Sequence, residues 1–141
     1  MGLESNNKYQ ATNDKQYQNN NDQNTKRYDL EERTLKYARG VSIYVSRMPR
    51  TIVNIENGKQ LVRAAGSVGA NYIEANEALS KKDFIMRVKI SRKEAKESRY
   101  WLNLTEPDQA NNQTKEMLIN EATQLIKILS SILVKCGVVK Y

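Results

Sequence analysis

Apolar residues recur at steps of three and four along most of this chain, and this spacing constrains its fold more than any other feature. A helix of 3.6 residues per turn places residues with this spacing on one face, whereas a half-buried strand needs strict alternation. The chain has no sustained alternation, so it predicts an all-α fold. The segment near the C-terminus shows this best, with a seam that consists of Leu118, Ala122, Leu125, Leu129, Ile132 and Cys136.

Breakers and capping residues divide the helical pattern into four segments. Pro49 ends the first, because the residue before a proline avoids the α region. Ser80 and Asp83 form a capping box for the third, Thr114 is the expected N-cap of the fourth, and Gly137 is its expected stop. Helices joined by short connections predict an antiparallel up-down four-helix bundle. The predicted helices are residues 29–48, a second that starts within 51–56 and ends at about 78, 81–104 and 115–136.

The first 28 residues differ from the rest because they contain seven Asn and four Gln and have no apolar period. Such a segment cannot bury enough apolar surface to offset its ordering entropy. We therefore expect residues 1–28 to be a disordered tail and residues 29–141 to be the bundle domain. The tail is either a tolerated extension or an arm for RNA or a protein partner.

The second predicted helix is apolar on most of its sides, and Arg63 is its one charge between Gln60 and Ile73. A helix of this kind is either central or part of a subunit interface. Four antiparallel helices have no central member, so the sequence predicts a homo-oligomer. One remaining sector is polar, and we interpret it as a hydrogen-bonded seam that fixes helix or subunit register rather than as a ligand site. Its residues are Arg63, Ser67, Asn71 and Glu74.

The third predicted helix carries most of the net charge. Eight cations and three anions lie between Lys81 and Arg99, which gives +5 of the formal +7. A solvated charged face is the ordinary alternative, but the concentration of cations is typical of a protein that binds a phosphate backbone. We call these predicted nucleic-acid-binding residues the basic face: Lys82, Lys89, Arg92, Lys93, Lys96 and Arg99.

A further side of the third helix mixes apolar residues with carboxylates, which indicates a contact surface whose acids meet cations elsewhere. Arg63 is the obvious candidate for such a cation. The predicted interface residues on this side are Asp83, Glu94, Glu97 and Trp101.

The chain has no histidine and one cysteine. Bundle di-metal sites need Glu-x-x-His pairs, and a neutral-pH general base is usually His, so we expect no metal, no cofactor and no catalytic residue. Cys136 belongs to the apolar seam and is interpreted as a small core residue rather than a nucleophile. No stretch predicts a membrane span and the N-terminus carries no apolar signal segment, so a cytoplasmic protein without membrane contact is expected.

Three pieces of sequence occur in a characteristic order. They are Leu61-x-Arg63-Ala64-Ala65-x-Ser67-Val68-x-Ala70-Asn71-x-x-Glu74, then Ser80-x-x-Asp83-Phe84, then Ile90-x-x-Lys93-Glu94-Ala95-x-Glu97-Ser98-x-x-Trp101-Leu102. In order and gaps they resemble the signature of the four-helix-bundle protein family, also known as the proteins encoded in 23S ribosomal RNA intervening sequences. The resemblance covers about residues 29–136.

The resemblance implies an antiparallel four-helix bundle that assembles as a homopentameric ring and has no known enzymatic activity. Related accessory proteins of diversity-generating retroelements look like basic pentameric barrels that bind nucleic acid and a reverse transcriptase. Together with the basic face, this predicts a non-enzymatic homo-oligomer that binds nucleic acid, with structured RNA as the expected partner. The alternative is a protein-interaction scaffold that docks a reverse transcriptase or another partner, with nucleic-acid contact secondary.

Overall fold

The computed structural model describes residues 20–138, and for residues 20–28 it describes the backbone alone. Within this range the chain forms four helices and no strand. Each helix packs against the next, and the fourth also contacts the first, which confirms the predicted all-α four-helix bundle. The helices are α1 (Asn20–Arg47), α2 (Ile52–Asn76), α3 (Lys81–Leu104) and α4 (Asn112–Lys135), with a 3₁₀ turn at Gln109–Asn111.

The N-terminal boundary differs from the prediction. Helix α1 begins at Asn20, inside the segment 1–28 that was expected to be a disordered tail, so the helix extends nine residues beyond the predicted boundary. Once a helix is nucleated, each added residue gains one backbone hydrogen bond, and a polar segment can extend a helix without an apolar face of its own. Residues 1–19 and 139–141 lie outside the described residues.

Capping residues set three of the helix ends, and those at Ser80 and Gly137 are as predicted. The Thr51 side chain accepts a hydrogen bond from the Asn54 amide at 3.1 Å and begins α2. The Ser80 hydroxyl accepts one from the Asp83 amide at 3.1 Å and begins α3. At the end of α4, Gly137 has φ +88°. Its N–H donates to Val134 O, and the Val138 N–H donates to Leu133 O, which is a Schellman motif that only glycine enters without strain.

The start of α4 corrects the prediction that Thr114 is its cap. The polar loop continues as the 3₁₀ turn, whose N-cap is Asp108, and the α-helix follows directly from Asn112. The Asp108 carboxylate accepts from the Asn111 amide at 3.2 Å and from its side chain at 2.8 Å. Because Asp and Asn are both strong cap formers, a run rich in them does not single out one start from sequence alone.

The core is apolar with two buried hydroxyl pairs. The Tyr37 hydroxyl lies 2.7 Å from Ser98 Oγ. Since Ser98 already donates to the Ala95 carbonyl, Tyr37 is the donor of this bond. The same arrangement joins Tyr44 to Thr105, also at 2.7 Å. Burial raises the pKa of Tyr37 to about 12, so its phenol stays protonated and available as a donor.

Helix α2 contacts α1 through glycine. A Cβ placed on Gly69 would lie 2.7 Å from Thr34 Oγ1 and 3.1 Å from Thr34 Cβ, so only glycine permits this approach without movement of α1. Gly66, three residues earlier, has nothing within 4 Å of its Cβ position. Of these two glycines of α2, Gly69 is therefore used in contact with α1, whereas Gly66 is exposed.

A buried amide joins two connections at one end of the bundle. The Asn54 side chain donates to the carbonyls of Pro49 and Glu106 at 2.9 and 2.8 Å, and its oxygen accepts from the Glu106 amide at 2.8 Å. Asn54 is 3% exposed. The α1–α2 connection and the loop before α4 are thereby held together by three hydrogen bonds from one residue.

Helix α4 with its preceding turn, Gln109–Lys135, is long and apolar enough to cross a membrane by length and composition. The same test is passed by core helices of soluble proteins. Leu125, Leu129 and Leu133 of α4 lie in the bundle core, which accounts for the apolar composition of this helix. Cys136 is its C-cap and is only partly buried, and burial raises the pKa of its thiol while the charge of Lys81 opposes the rise.

Candidate nucleic-acid interface

The four lysines of the basic face project from the outer side of α3. Lys82, Lys89, Lys93 and Lys96 are all exposed. Only Lys93 has a carboxylate within ion-pair distance in the described part of the chain, and its Nζ lies 4.0 Å from Glu94 Oε2. Steps of seven, four and three residues keep the four side chains within a narrow sector of the helix. They therefore form a ridge whose charge is mostly uncompensated.

The two arginines of the basic face lie on the seam between α3 and α4 and are partly buried. Arg92 donates to Ser130 Oγ at 3.2 Å, and Arg99 donates to Thr123 Oγ1 at 3.2 Å. The Thr123 hydroxyl in turn donates to the Ile119 carbonyl, which fixes its lone pairs toward the arginine. Neither arginine forms an ion pair with any carboxylate in residues 29–138. Neutral hydroxyls thus position both guanidinium groups without cancelling their charge.

The opposite side of α3, which packs against α2, uses its arginine differently. Arg87 donates to Asn71 Oδ1 at 3.2 Å, and its Nη2 lies 3.2 Å from Glu74 Oε1. Sequence reasoning missed Arg87 as a partner of this sector. Two signals point to it: it lies seven residues before Glu94 on the same side of α3, and the short turn after Asn76 brings it opposite residues 71–74 in an antiparallel pair.

The polar side chains of this α2 sector form most of their hydrogen bonds with backbone carbonyls of α2 itself. Ser67 donates to the Arg63 carbonyl at 2.9 Å, and Asn71 donates to the Ser67 carbonyl at 2.9 Å. Asn71 and Glu74 reach α3 through Arg87, as a seam that fixes helix register would. Arg63 is exposed and forms no ion pair with Asp83, Glu94 or Glu97 in the described chain. The expected pairing of Arg63 with these acids is therefore wrong within one chain, because its side chain points to solvent.

Glu94 has the least satisfied carboxylate of the described residues. Its side chain is 14% exposed, and its Oε1 is buried without a hydrogen-bond partner. Asp83 and Glu97, predicted with it, are exposed and therefore solvated. A buried oxygen of an ionised group without a donor is costly, typically by about 1–3 kcal/mol or more. The sequence places Glu94 on this side of α3 but gives no indication of its burial.

Two neighbouring aromatic residues lie near the C-terminal end of the basic face. Trp101 is partly buried against the core, whereas Tyr100 is 58% exposed. Their ring centroids are 5.1 Å apart with an interplanar angle of 77°, an edge-to-face contact. Trp101 is thus the predicted interface residue that reaches the core, and Tyr100 stands beside it on the outer surface.

No group of three or more Cys, Asp or Glu side chains among the described residues could hold a metal ion. The expectation that the chain lacks a metal, a cofactor and catalytic residues stays a prediction.

Comparison with known proteins identifies the family of this chain. The model of the 23S rRNA-intervening sequence protein family matches residues 26–131. The chain belongs to this family. Among solved structures, a protein of unknown function from the S23 ribosomal protein family of Bacteroides thetaiotaomicron is 31% identical, with a TM-score of 0.63. The match covers 74% of this chain and 97% of that one.

Family membership confirms the resemblance inferred from residues 61–102. No curated protein matches the chain. The matched range begins at residue 26, before the predicted domain boundary and inside α1.

Proposed function

We propose that this protein is a non-enzymatic homo-oligomer that binds nucleic acid, structured RNA above all, through the basic face of α3. The observation that carries the proposal is the pair Arg92 and Arg99, which are held in place by hydroxyls and matched to no carboxylate in the described chain. Positioned guanidinium groups favour phosphate, because their fork of donors can bind two of its oxygens together.

The electrostatics of α3 support this choice over a merely solvated surface. A solvated face usually intersperses cations with acids, but five of the six residues of the basic face have no ion-pair partner among residues 29–138. Like charges on adjacent turns repel one another, and an anionic ligand relieves that repulsion. The sequence of this face contains no recognisable base-reading element, so we expect contacts to the backbone and weak sequence preference.

Self-association is part of the proposal, with the homopentamer implied by the family resemblance as the expected state. Val62 and Ile73 of α2 and Met86 of α3 are exposed, although the core lies directly beneath. Glu94 lies on the α2 side of α3 with 14% of its side chain exposed, and rotation of its carboxylate would bring the unpartnered oxygen to a cation of a neighbouring subunit. Repetition of the basic face around an oligomer would strengthen binding through avidity.

The decisive binding experiment reverses the charge of the ridge. Substitution of Lys82, Lys89, Lys93 and Lys96 by Glu should abolish binding of a structured RNA, measured by fluorescence anisotropy at low salt. A control with four reversed cations elsewhere tests whether net charge alone is responsible, and the exposed residues Lys36, Arg39, Lys59 and Lys135 serve. Unchanged binding after substitution of the ridge would refute the assignment.

The assembly experiment measures mass in solution. We expect several times 16.2 kDa by multi-angle light scattering at micromolar concentration. A clean monomer would refute the oligomer and the interpretation of the exposed side of α2. We further propose a cytoplasmic location and no membrane contact, which fractionation of cells tests directly.

A specific feature favours the second candidate, a protein-interaction scaffold. A groove of about 410 Å³ lies between α1 and α2 near the Pro49 connection. Val45, Met48, Ile55 and Val62 line it together with the cations Arg50 and Lys59. An acidic amphipathic partner segment, for example from a reverse transcriptase, fits this combination. A partner that persists in pull-downs after nuclease treatment would favour the scaffold over nucleic-acid binding.

A further inference from the structure

Tyr100 is the one aromatic side chain among the large, exposed apolar residues of the described chain. It follows Lys96 by four residues and Lys93 by seven, so the three side chains share one sector of α3. At 1.5 Å per residue the two lysines lie about 6 and about 10 Å from Tyr100 along the helix axis. An exposed ring therefore stands in line with uncompensated cations.

A neighbouring aromatic side chain holds the Tyr100 ring. Its edge-to-face contact with Trp101, at 5.1 Å between centroids, restricts its orientation. Trp101 in turn packs against buried core residues. A ring held in one orientation loses little conformational freedom when a flat ligand stacks on it.

We propose that Tyr100 is a stacking platform for an unpaired nucleobase, so that the basic face binds single-stranded nucleotides, including the unpaired segments of a folded RNA, and discriminates against continuous duplex. This inference rests on the proposed nucleic-acid binding. A phosphate backbone that runs along Lys93 and Lys96 brings a nucleobase to the height of Tyr100. Bases within a duplex are stacked on one another and are not available to a side chain.

The alternative occupant of this surface is a second copy of the chain, since exposed aromatic residues also occur at subunit interfaces. The alignment of the ring with four cations argues against it, because two copies of a positive surface repel each other. Measurement of mass in parallel with binding separates the two.

The test compares a 12-nucleotide single-stranded RNA with a 12-base-pair RNA duplex by fluorescence anisotropy over a series of salt concentrations. Tyr100→Ala should weaken binding of the single strand by about 10-fold, while binding of the duplex stays unchanged. Tyr100→Phe keeps the aromatic ring and should bind like the unaltered protein. The salt slope of Tyr100→Ala should stay the same, because no charge is lost. Lys96→Gln should lower the slope by about one for both RNAs.

Three results would overturn the stacking platform. One is unchanged single-strand binding by Tyr100→Ala. Another is an equal loss for strand and duplex, and the third is a reduced solution mass with unchanged affinity. In each case loss of binding after reversal of the four ridge lysines would leave the proposed function standing. If the unaltered protein binds neither RNA, the proposed function fails together with the platform.

Discussion

The two sides of α3 use arginine in contrasting ways. Toward α2, Arg87 meets both the Glu74 carboxylate and the Asn71 amide oxygen. Toward α4, Arg92 and Arg99 meet only hydroxyls. The same residue type is thus neutralised on one side and left charged on the other. Charge that is paired within the chain holds helices in register, and charge that is positioned but unpaired remains for a ligand.

The first test of this difference between the two sides of α3 removes the unpaired charge. Arg92→Gln combined with Arg99→Gln should weaken RNA binding by roughly 100-fold at low salt and lower the salt slope by about two. Anisotropy titrations at several salt concentrations measure both. Arg87→Gln is the matched control, since it removes a guanidinium that already has a carboxylate partner. Equal losses in the two variants would abolish the distinction between the sides.

A second test asks whether close packing rather than charge holds the bundle. Gly69→Ala places a methyl group 2.7 Å from Thr34 Oγ1 and should lower the free energy of unfolding by about 1–3 kcal/mol. Gly66→Ala has open space and should raise it by about 0.5–1 kcal/mol through helix propensity. Urea denaturation measures both. A stabilised Gly69→Ala variant would show that α1 and α2 move apart easily.

The third test concerns the unsatisfied carboxylate on the α2 side. Glu94→Met keeps the length of the side chain and removes the buried oxygen that lacks a partner. We expect the dissociated chain to become more stable by about 1 kcal/mol and self-association to weaken. Glu97→Met, at an exposed neighbouring position, should change chain stability little. Denaturation and sedimentation of both variants are the measurements, and tighter assembly of Glu94→Met would contradict the interpretation.

The smallest expected effect is on stability at Arg87. Its side chain and that of Glu74 are 40% and 60% exposed, so solvent screens their attraction. Arg87→Gln should therefore cost only a few tenths of a kcal/mol, and the difference should shrink at high salt. Thermal melts at two ionic strengths check this. A cost of several kcal/mol would mean that the α2 side depends on charge after all.

The fold was predictable from sequence where one residue sets a boundary. Ser80 and Gly137 act at the predicted positions, because a hydroxyl cap and a left-handed glycine have few alternative uses in a helical chain. Thr114 failed as a cap because Asp108, earlier in the same polar loop, begins the turn instead. The start of α1 at Asn20 was not predicted. A periodic spacing of apolar residues indicates a buried helix face, and it gives no information about a helical segment that is polar on all sides.

The candidate site was predictable only in part. Periodicity places the six residues of the basic face on α3 and sets Arg92 and Arg99 between the lysine ridge and the core side, but it does not show that the two arginines reach across to α4. The pairing of Arg63 with the acids of α3 is absent within the described part of one chain, because helical position fixes a direction and not a partner. Burial of one oxygen of Glu94 depends on the packing of α2 against α3, and the residue pattern of a single helix does not specify that packing.

The Asn54 side chain has a consequence for how the chain opens and closes. It joins the connection that ends α1 to the loop that leads to α4, so its three hydrogen bonds form only when both helical hairpins are in place. The Glu106 amide, although it belongs to a loop, should then exchange with deuterium as slowly as the helices of the core. One buried carboxamide would in this way make the two halves of the molecule unfold as a single cooperative unit.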